Sequence, residues 1–417
     1  MDKLFTKYFN KHGLNFADAP VEGELKVVVP VYLEEDALPD LLQSLQAAAK
    51  HYAQPVELIL VFNYATLADA LVKERQHRLM AEVQGYFSPA SGHLNIRCLT
   101  AFDIPKKHAG VGYARKVGMD YAAWSFYQQG KGKGIIASLD ADCHVEPNYF
   151  SALTSAFQDT SMNACSIYFE HPLEGSCGAA VYAAIAEYEL HLRYYVQALR
   201  NAGFPLAYHT VGSCFAVRSN AYVRAGGMPR KQAGEDFYFL QKVIQQGGFC
   251  DLNTTTVYPS SRPSDRVPFG TGPSVKGIVR SGEEYATYNL QAFLDLKDFL
   301  QIKDELYTLD EDQYEAFTYQ LSGRIRSYLL NSDFFRALKP VKENCASLAV
   351  FKKRFYEVFN AFRVVRYLNY VHRHFVDKMP VFDAALSLYE QQRGIMLDVF
   401  DAGALLQAYR QLEKKEC

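Results

Sequence analysis

The chain lacks any apolar run of about 18 residues, the length a spanning helix needs, so no transmembrane helix is expected. It lacks a C-x-x-C pair, which argues against a structural zinc site. Its eight cysteines are spread over 417 residues and do not form a disulfide scaffold. It also lacks an excess of either charge. Forty-four basic residues against 46 acidic ones give a formal charge of -2, so no single strong basic field for nucleic acid is present. The opening segment, MDKLFTKYFNKHGLNF, has no apolar signal-peptide core, and a cytoplasmic protein is the expectation. Tryptophan is nearly absent; Trp124 is the only one. What the chain has is a globular balance, 49% hydrophobic and 22% charged, with length for two or three domains.

Strand and helix signals alternate over the first two-thirds. LKVVVPVY (25–32), PVELILVF (55–62), HLNIRCL (93–99) and GIIASL (134–139) read as strands, being short, apolar and β-branched. Helical stretches are expected at 38–50, 66–84 and 112–129. NACSIYF (163–169), 213–217 and 249–258 continue the strands, with a long helix near 179–201 and another opening at GEDFYFLQ. Such alternation predicts a mainly parallel sheet with helices on both faces. Residues 259–277 are too rich in Pro, Gly and Ser for regular structure. From about 285 the chain reads as entirely helical.

Four clusters carry chemistry. Asp140 and Asp142 follow a buried strand, at the edge where open α/β sheets bind ligands, and could hold Mg2+ or Mn2+ against phosphate oxygens. A solvated turn is the plain alternative. Gly110-Val111-Gly112-Tyr113-Ala114-Arg115-Lys116 follows Lys106, Lys107 and His108; a helix start with basic residues suits phosphate, although neither a dinucleotide fingerprint nor a Walker loop is formed. Glu235 and Asp236 open a helix, where acids cap the positive dipole end or serve as a general base. The stretch from Arg262 to Gly272, RPSDRVPFGTG, sets two arginines in an irregular loop that could clamp a polyphosphate and close as a lid.

Together, VVVPVYLEE (27–35), GVGYARKVGMD (110–120), GIIASLDADCHVEPNYF (134–150) and the GSCFAVRSNAYVRAGGMP and AGEDFYFLQKVIQQG segments resemble the family 2 nucleotide-sugar glycosyltransferases of the GT-A fold, over about residues 25–258. The resemblance implies a Rossmann-like, mostly parallel mixed sheet at 25–284, an N-terminal extension at 1–24 and a helical C-terminal domain at 285–417. It implies that Pro30, Tyr32 and Glu34 cradle the nucleotide, that Arg115 lies beside it, that Asp140 faces the ribose and that Asp142 holds the metal. Asp236 matches the general base of the inverting enzymes and Glu235 its neighbour near the acceptor. The donor would be a nucleoside-diphosphate sugar, with a UDP-sugar favoured.

Three departures qualify the match. Asn63 stands where the family carries a base-reading acid, and its amide can still read a base edge. Tyr258-Pro259-Ser260-Ser261-Arg262 supplies no histidine ligand, and Arg262 and Arg266 could replace part of the metal's charge. No Gln-x-x-Arg-Trp motif is present, which points away from a processive polymer synthase. A retaining enzyme of the same fold and a sugar nucleotidyltransferase are the alternatives. The acceptor, whether saccharide, lipid-linked or small-molecule, is not readable. Residues 339–378 hold nine Lys/Arg and three Asp/Glu around an apolar stripe including Phe351, Phe355 and Phe359. That stripe reads first as packing, with peripheral contact at the inner face of the membrane open as a second role.

Overall fold

The computed structural model describes residues 2–17, 19–86, 93–264, 266 and 270–415. The chain divides into two compact units, neither continuous in sequence. The first draws on residues 1–182, 210–277 and 410–417, the second on 183–209 and 278–409. This division runs differently from boundaries at 24 and 284, because it groups residues by tertiary contact rather than by order along the chain.

In the first unit an eight-stranded sheet is built from β1 (Leu25–Val31), β2 (Val56–Ala65), β3 (Leu94–Ile104), β4 (Ile135–Ser138), β5 (Cys143–Val145), β6 (Ala164–Phe169), β7 (Phe215–Arg218) and β8 (Phe249–Pro259). Their spatial order is β3-β2-β1-β4-β7-β6-β8-β5. β3, β2, β1 and β4 are mutually parallel, whereas β7 runs antiparallel to both β4 and β6, and β5 antiparallel to β8. β1 is buried along its whole length, as its mostly apolar run requires of a strand covered on both faces, and its one charge, Lys26, is paired with the buried Glu57. The sheet is therefore mostly parallel and mixed, flanked by helices, and the chain adds a helical C-terminal region.

Helices of this unit include α1 (Asp2–His12), α2 (Leu38–Lys50), α3 (Ala70–Tyr86), α4 (Val111–Gln128), α5 (Tyr149–Ala156), the first turn of α6 (Ala179–Asn201), α7 (Ser219–Arg224) and α8 (Glu235–Ile244). α4 lies against β1 and β2, and Gly118 makes this approach feasible. A Cβ there would sit 2.8 Å from Val61 Cγ2 and would overlap Val28 Cγ1. α1 is tied in by polar contacts. The hydroxyls of Tyr8 and Tyr222 each donate to Asp120 Oδ1 at 2.6 Å, and Lys116 Nζ pairs with Asp120 Oδ2 at 2.8 Å.

Two expectations are corrected. The stretch 259–277 is not wholly irregular: Thr271–Ser281 forms a helix. Pro273 falls in its first turn, where a missing N–H costs nothing, Val275 is buried, and Gly282 ends it at φ +66°. The region after 285 is helical except for a two-residue pairing of Ala286–Thr287 with Met379–Pro380. β5 was not foreseen at all, since three residues give no periodicity to read.

Within the second unit, Phe351, Phe355 and Phe359 are fully buried; Phe355 and Phe359 meet Phe299 and Phe334, with Phe299–Phe359 centroids 5.2 Å apart, and Phe351 meets Phe355 and Tyr307. This is packing of the expected stripe. Val350 lies outside it, on the exposed side. Among the described residues no helix is long and apolar enough to cross a membrane.

Gly118→Val should overpack the α4 contact and lower the unfolding free energy by about 1–3 kcal/mol or more. Urea unfolding followed by circular dichroism measures it; unchanged stability would show that α4 can shift off β1 freely.

Candidate active site

The site grows from neighbouring strand ends. β1 and β4 are adjacent and parallel, so the turn after β1 and the Asp140-Ala141-Asp142 turn after β4 emerge together. Leu33 in the first turn has φ +53°, a left-handed conformation that a branched side chain rarely adopts. It directly precedes Glu34, which is 7% exposed.

β5 and β8 supply the next part. Cys143 is opposite Pro259 in their antiparallel register, so the residues after Pro259 run back alongside those before Cys143. This brings Arg262 to Asp142. One Arg262 nitrogen, Nη2, donates to Asp142 Oδ2 at 2.9 Å and to both Glu34 oxygens at 2.9 and 2.7 Å. Arg266 pairs with Glu34 Oε1 and donates to the Tyr32 carbonyl at 3.3 Å. Asp265 and Val267–Phe269 of the same loop lie outside the described residues.

The third part is the meeting of α4 with α8. Gly110 and Gly112 let the start of α4 approach Lys231–Glu235 closely; a Cβ on Gly110 would sit 2.7 Å from Gln232 Cα, and one on Gly112 2.9 Å from Glu235 Cβ. Arg115, one turn into α4, thereby reaches two carboxylates. Its Nη2 donates to Asp140 Oδ1 at 2.6 Å, and its Nη1 pairs with Glu235. Arg115 is 3% exposed and its Nε has no partner. β7, antiparallel to β4 with Phe215 opposite Ser138, carries Gly212 past the end of β4. There the Gly212 N–H donates to Asp236 Oδ2 at 2.6 Å, and the Phe237 N–H donates to Oδ1 at 2.7 Å. Asp236 stays half-buried while Glu235 is enclosed.

Glu34, Asp142, Arg262 and Arg266 thus form one ion-pair cluster and Arg115, Asp140 and Glu235 another, meeting at the Asp140–Asp142 turn, with Asp236 next to Glu235. Other expected residues are placed differently. Arg115 lies between carboxylates rather than open to a phosphate. Lys116 turns away to Asp120 and Tyr8, whereas Lys106 and Lys107 are exposed. Pro30 is buried within β1 opposite Val61, and Tyr32 contributes its carbonyl. Asn63 is buried, and its Nδ2 donates to the Val31 and Val61 carbonyls at 2.9 and 3.4 Å. Gln76, which sequence reasoning missed, donates to the carbonyls of Val31 and Asn63 at 3.0 and 2.8 Å. Nothing in the sequence pattern marks Gln76, since it sits mid-helix. Gly212 was missed too, although the Gly212-Ser213-Cys214 turn before a strand was a visible signal.

Burial dominates the electrostatics. It pushes the Glu235 carboxyl up to about 7 despite Arg115, with Asp236 adding repulsion. It raises Asp236 as well, against the lowering effect of Arg115 and the two backbone N–H groups. Asp142 is pushed up to about 6 by burial and then by Asp140 and Glu34, while Arg262 and Arg266 pull it down. Each folded-state value lies above the unfolded one. Their contribution to stability is therefore full below the ordinary carboxyl range and is lost as pH rises through about 6 and 7.

Asp140 and Asp142 are hard oxygen ligands on one turn. Among the described residues no group of three or more His, Cys, Asp or Glu side chains could hold a metal by itself. Two carboxylates completed by substrate phosphates and water is the usual arrangement for Mg2+, and the residues present fit it.

No protein-family model and no curated protein matches the chain. Among solved structures it is similar to S. aureus TarS 1–349 in complex with UDP-GlcNAc, at 12% identity and TM-score 0.41, covering 81% of this chain and 91% of that one. It is also similar to glucosyl-3-phosphoglycerate synthase from Mycobacterium tuberculosis in complex with Mn2+, UDP and phosphoglyceric acid, at 11% identity and TM-score 0.34, covering 66% and 78%. Likenesses at these scores decide neither family nor reaction.

Arg115→Met should cost about 3–5 kcal/mol at pH 8, where it strands a buried carboxylate. At pH 5, with Glu235 protonated, the cost should be smaller. Urea unfolding of both proteins at both pH values checks this; an equal cost would mean that Glu235 is not what Arg115 neutralises.

Proposed function

We propose that the chain is a glycosyltransferase of the family 2 type, moving a sugar from a nucleoside diphosphate to an acceptor hydroxyl with inversion, one residue at a time. One observation carries this reading. A single buried arginine joins the acidic turn after β4, suited to a sugar-diphosphate donor, to the enclosed Glu235 at the start of α8, whose half-buried neighbour Asp236 is suited to an acceptor hydroxyl. A turn that merely caps a strand, or an acid that merely caps a helix, gives no reason for the two to share one counter-charge.

In this reading Glu34 and Asp140 orient the donor's ribose, and Arg262 and Arg266 face its diphosphate. Asp140 and Asp142 would hold Mn2+ or Mg2+, which when bound supplies positive charge to the leaving phosphate oxygens. The acceptor oxygen attacks the anomeric carbon as the bond from that carbon to the phosphate oxygen breaks. Asp236 takes the acceptor proton, and the nucleoside diphosphate leaves with the bonding electrons. The raised pKa of Asp236 brings its basicity nearer working pH, as proton transfer favours. The N–H groups of Gly212 and Phe237 fix its carboxylate in place. Glu235, enclosed and paired with Arg115, holds the arginine rather than the substrate. UDP is the nucleotide favoured, with the Asn63 amide and Gln76 bracing the strand ends beneath it.

Asp236→Asn should lower turnover by about 10²–10⁴-fold while leaving nucleotide affinity near the wild-type value. Transfer to added acceptor and calorimetric nucleotide binding measure the two sides; wild-type turnover would remove Asp236 from the reaction.

A panel of UDP, GDP, CDP and dTDP with Mn2+ should raise the thermal midpoint through ligand linkage, UDP most. Should none of them shift it or bind on direct titration, the nucleotide-sugar reading fails.

A further inference from the structure

The Asp142 carboxylate already has a cation beside it. Arg262 Nη2 lies 2.9 Å from Asp142 Oδ2 and bridges to Glu34, which also takes Arg266. The acidic groups facing Arg262 come from two elements, Glu34 from the turn after β1 and Asp142 from the turn after β4, with Asp140 beside Asp142. The bases opposing them are Arg262 and Arg266 from the segment after β8, with Arg115 of α4 engaged by Asp140. Two features set this apart from a closed structural ion pair. Arg262 Nε is buried without a partner, so the carboxylates do not satisfy the guanidinium. The Arg262 and Asp142 side chains are also 29% and 25% exposed, so a ligand can reach the bond between them.

We propose that Arg262 is the built-in counter-cation of the Asp142 turn, and that its guanidinium and a divalent cation are alternative occupants of that carboxylate. The inference rests on the donor-site reading above and adds an order of events to it. With no donor present, Arg262 neutralises Asp142 and Glu34 and keeps a metal ion out. A nucleoside diphosphate offers the guanidinium phosphate oxygens, to which arginine pairs in its planar fork. Arg262 then leaves Asp142, Glu34 is released toward the ribose, and the turn accepts the metal together with the nucleotide. Metal and donor binding are thereby coupled, each strengthening the other by the same factor. An empty site would hold little metal, and the donor would complete the charge balance on arrival.

The test needs no nucleotide, so it is separable from the nucleotide-sugar reading, which fails or stands on the diphosphate panel. Mn2+ alone is titrated by calorimetry at pH 8 into the wild type, Arg262→Ala and Arg262→Lys. Removing a unit charge a few ångströms from the carboxylate should tighten Mn2+ binding by about tenfold or more in Arg262→Ala, and far less in Arg262→Lys. Equal or weaker binding by Arg262→Ala overturns the proposal, as does no Mn2+ binding by either protein. A second measurement uses only the wild type, in case the alanine variant does not fold. Hydrogen exchange of the backbone at 260–264 should speed up at saturating Mn2+, because Arg262 is displaced. Unchanged exchange there overturns the proposal equally.

Discussion

Arg115 is the constraint on which the site depends. It is a buried cation between Asp140 and Glu235, carried by α4, while its two acids come from elements far apart in the chain. A buried charge is tolerated only when paired and hydrogen-bonded. Fixing Arg115 therefore fixes the distance between the turn after β4 and the start of α8. The glycines at 110 and 112 serve this end. They matter because their missing Cβ atoms admit the 231–235 segment, and no phosphate-binding loop is needed to explain them.

The same helix is anchored from its other side. Lys116, the residue after Arg115, pairs with Asp120, and Asp120 accepts from tyrosines of α1 and α7. Two adjacent basic residues thus have opposite assignments, one toward the site and one toward the N-terminal helix. Helical geometry explains this, since successive side chains are rotated by about 100°. A pair that looks like one basic patch in sequence is split between two faces.

On the other side of the site, charge balance is achieved by loop rather than by helix. Glu34 follows a residue held at positive φ, and two arginines from beyond β8 cover it. The cost of crowding three acids, Glu34, Asp140 and Asp142, into one corner is visible in the raised pKa of Asp142. Arginine offsets that cost in the resting protein. Such a corner is poised to exchange one cation for another, which a fully buried ion pair is not.

Most of the architecture was legible from the chain. β1, β2, β4 and β6 are short apolar runs bounded by turns, and α2 and α4 match the expected helices within a residue or so. Asp140, Asp142, Glu235 and Asp236 were legible as candidates because two of them follow a buried strand directly, at the edge where open α/β sheets bind ligands, and two open a helix. The pairing of Arg262 with Asp142 was not, because β5 is too short to announce itself and its register with β8 brings Arg262 back to that turn. Nor could the sequence tell that Arg115 serves carboxylates, that Asn63 spends its amide on backbone carbonyls, or that Thr271–Ser281 is helical despite its glycines and proline. Local pattern determined which elements form, through periodicity, branching and turn residues. Partner choice was left to tertiary structure, because a charged side chain takes whichever opposite charge the packing of distant strands delivers within hydrogen-bonding reach.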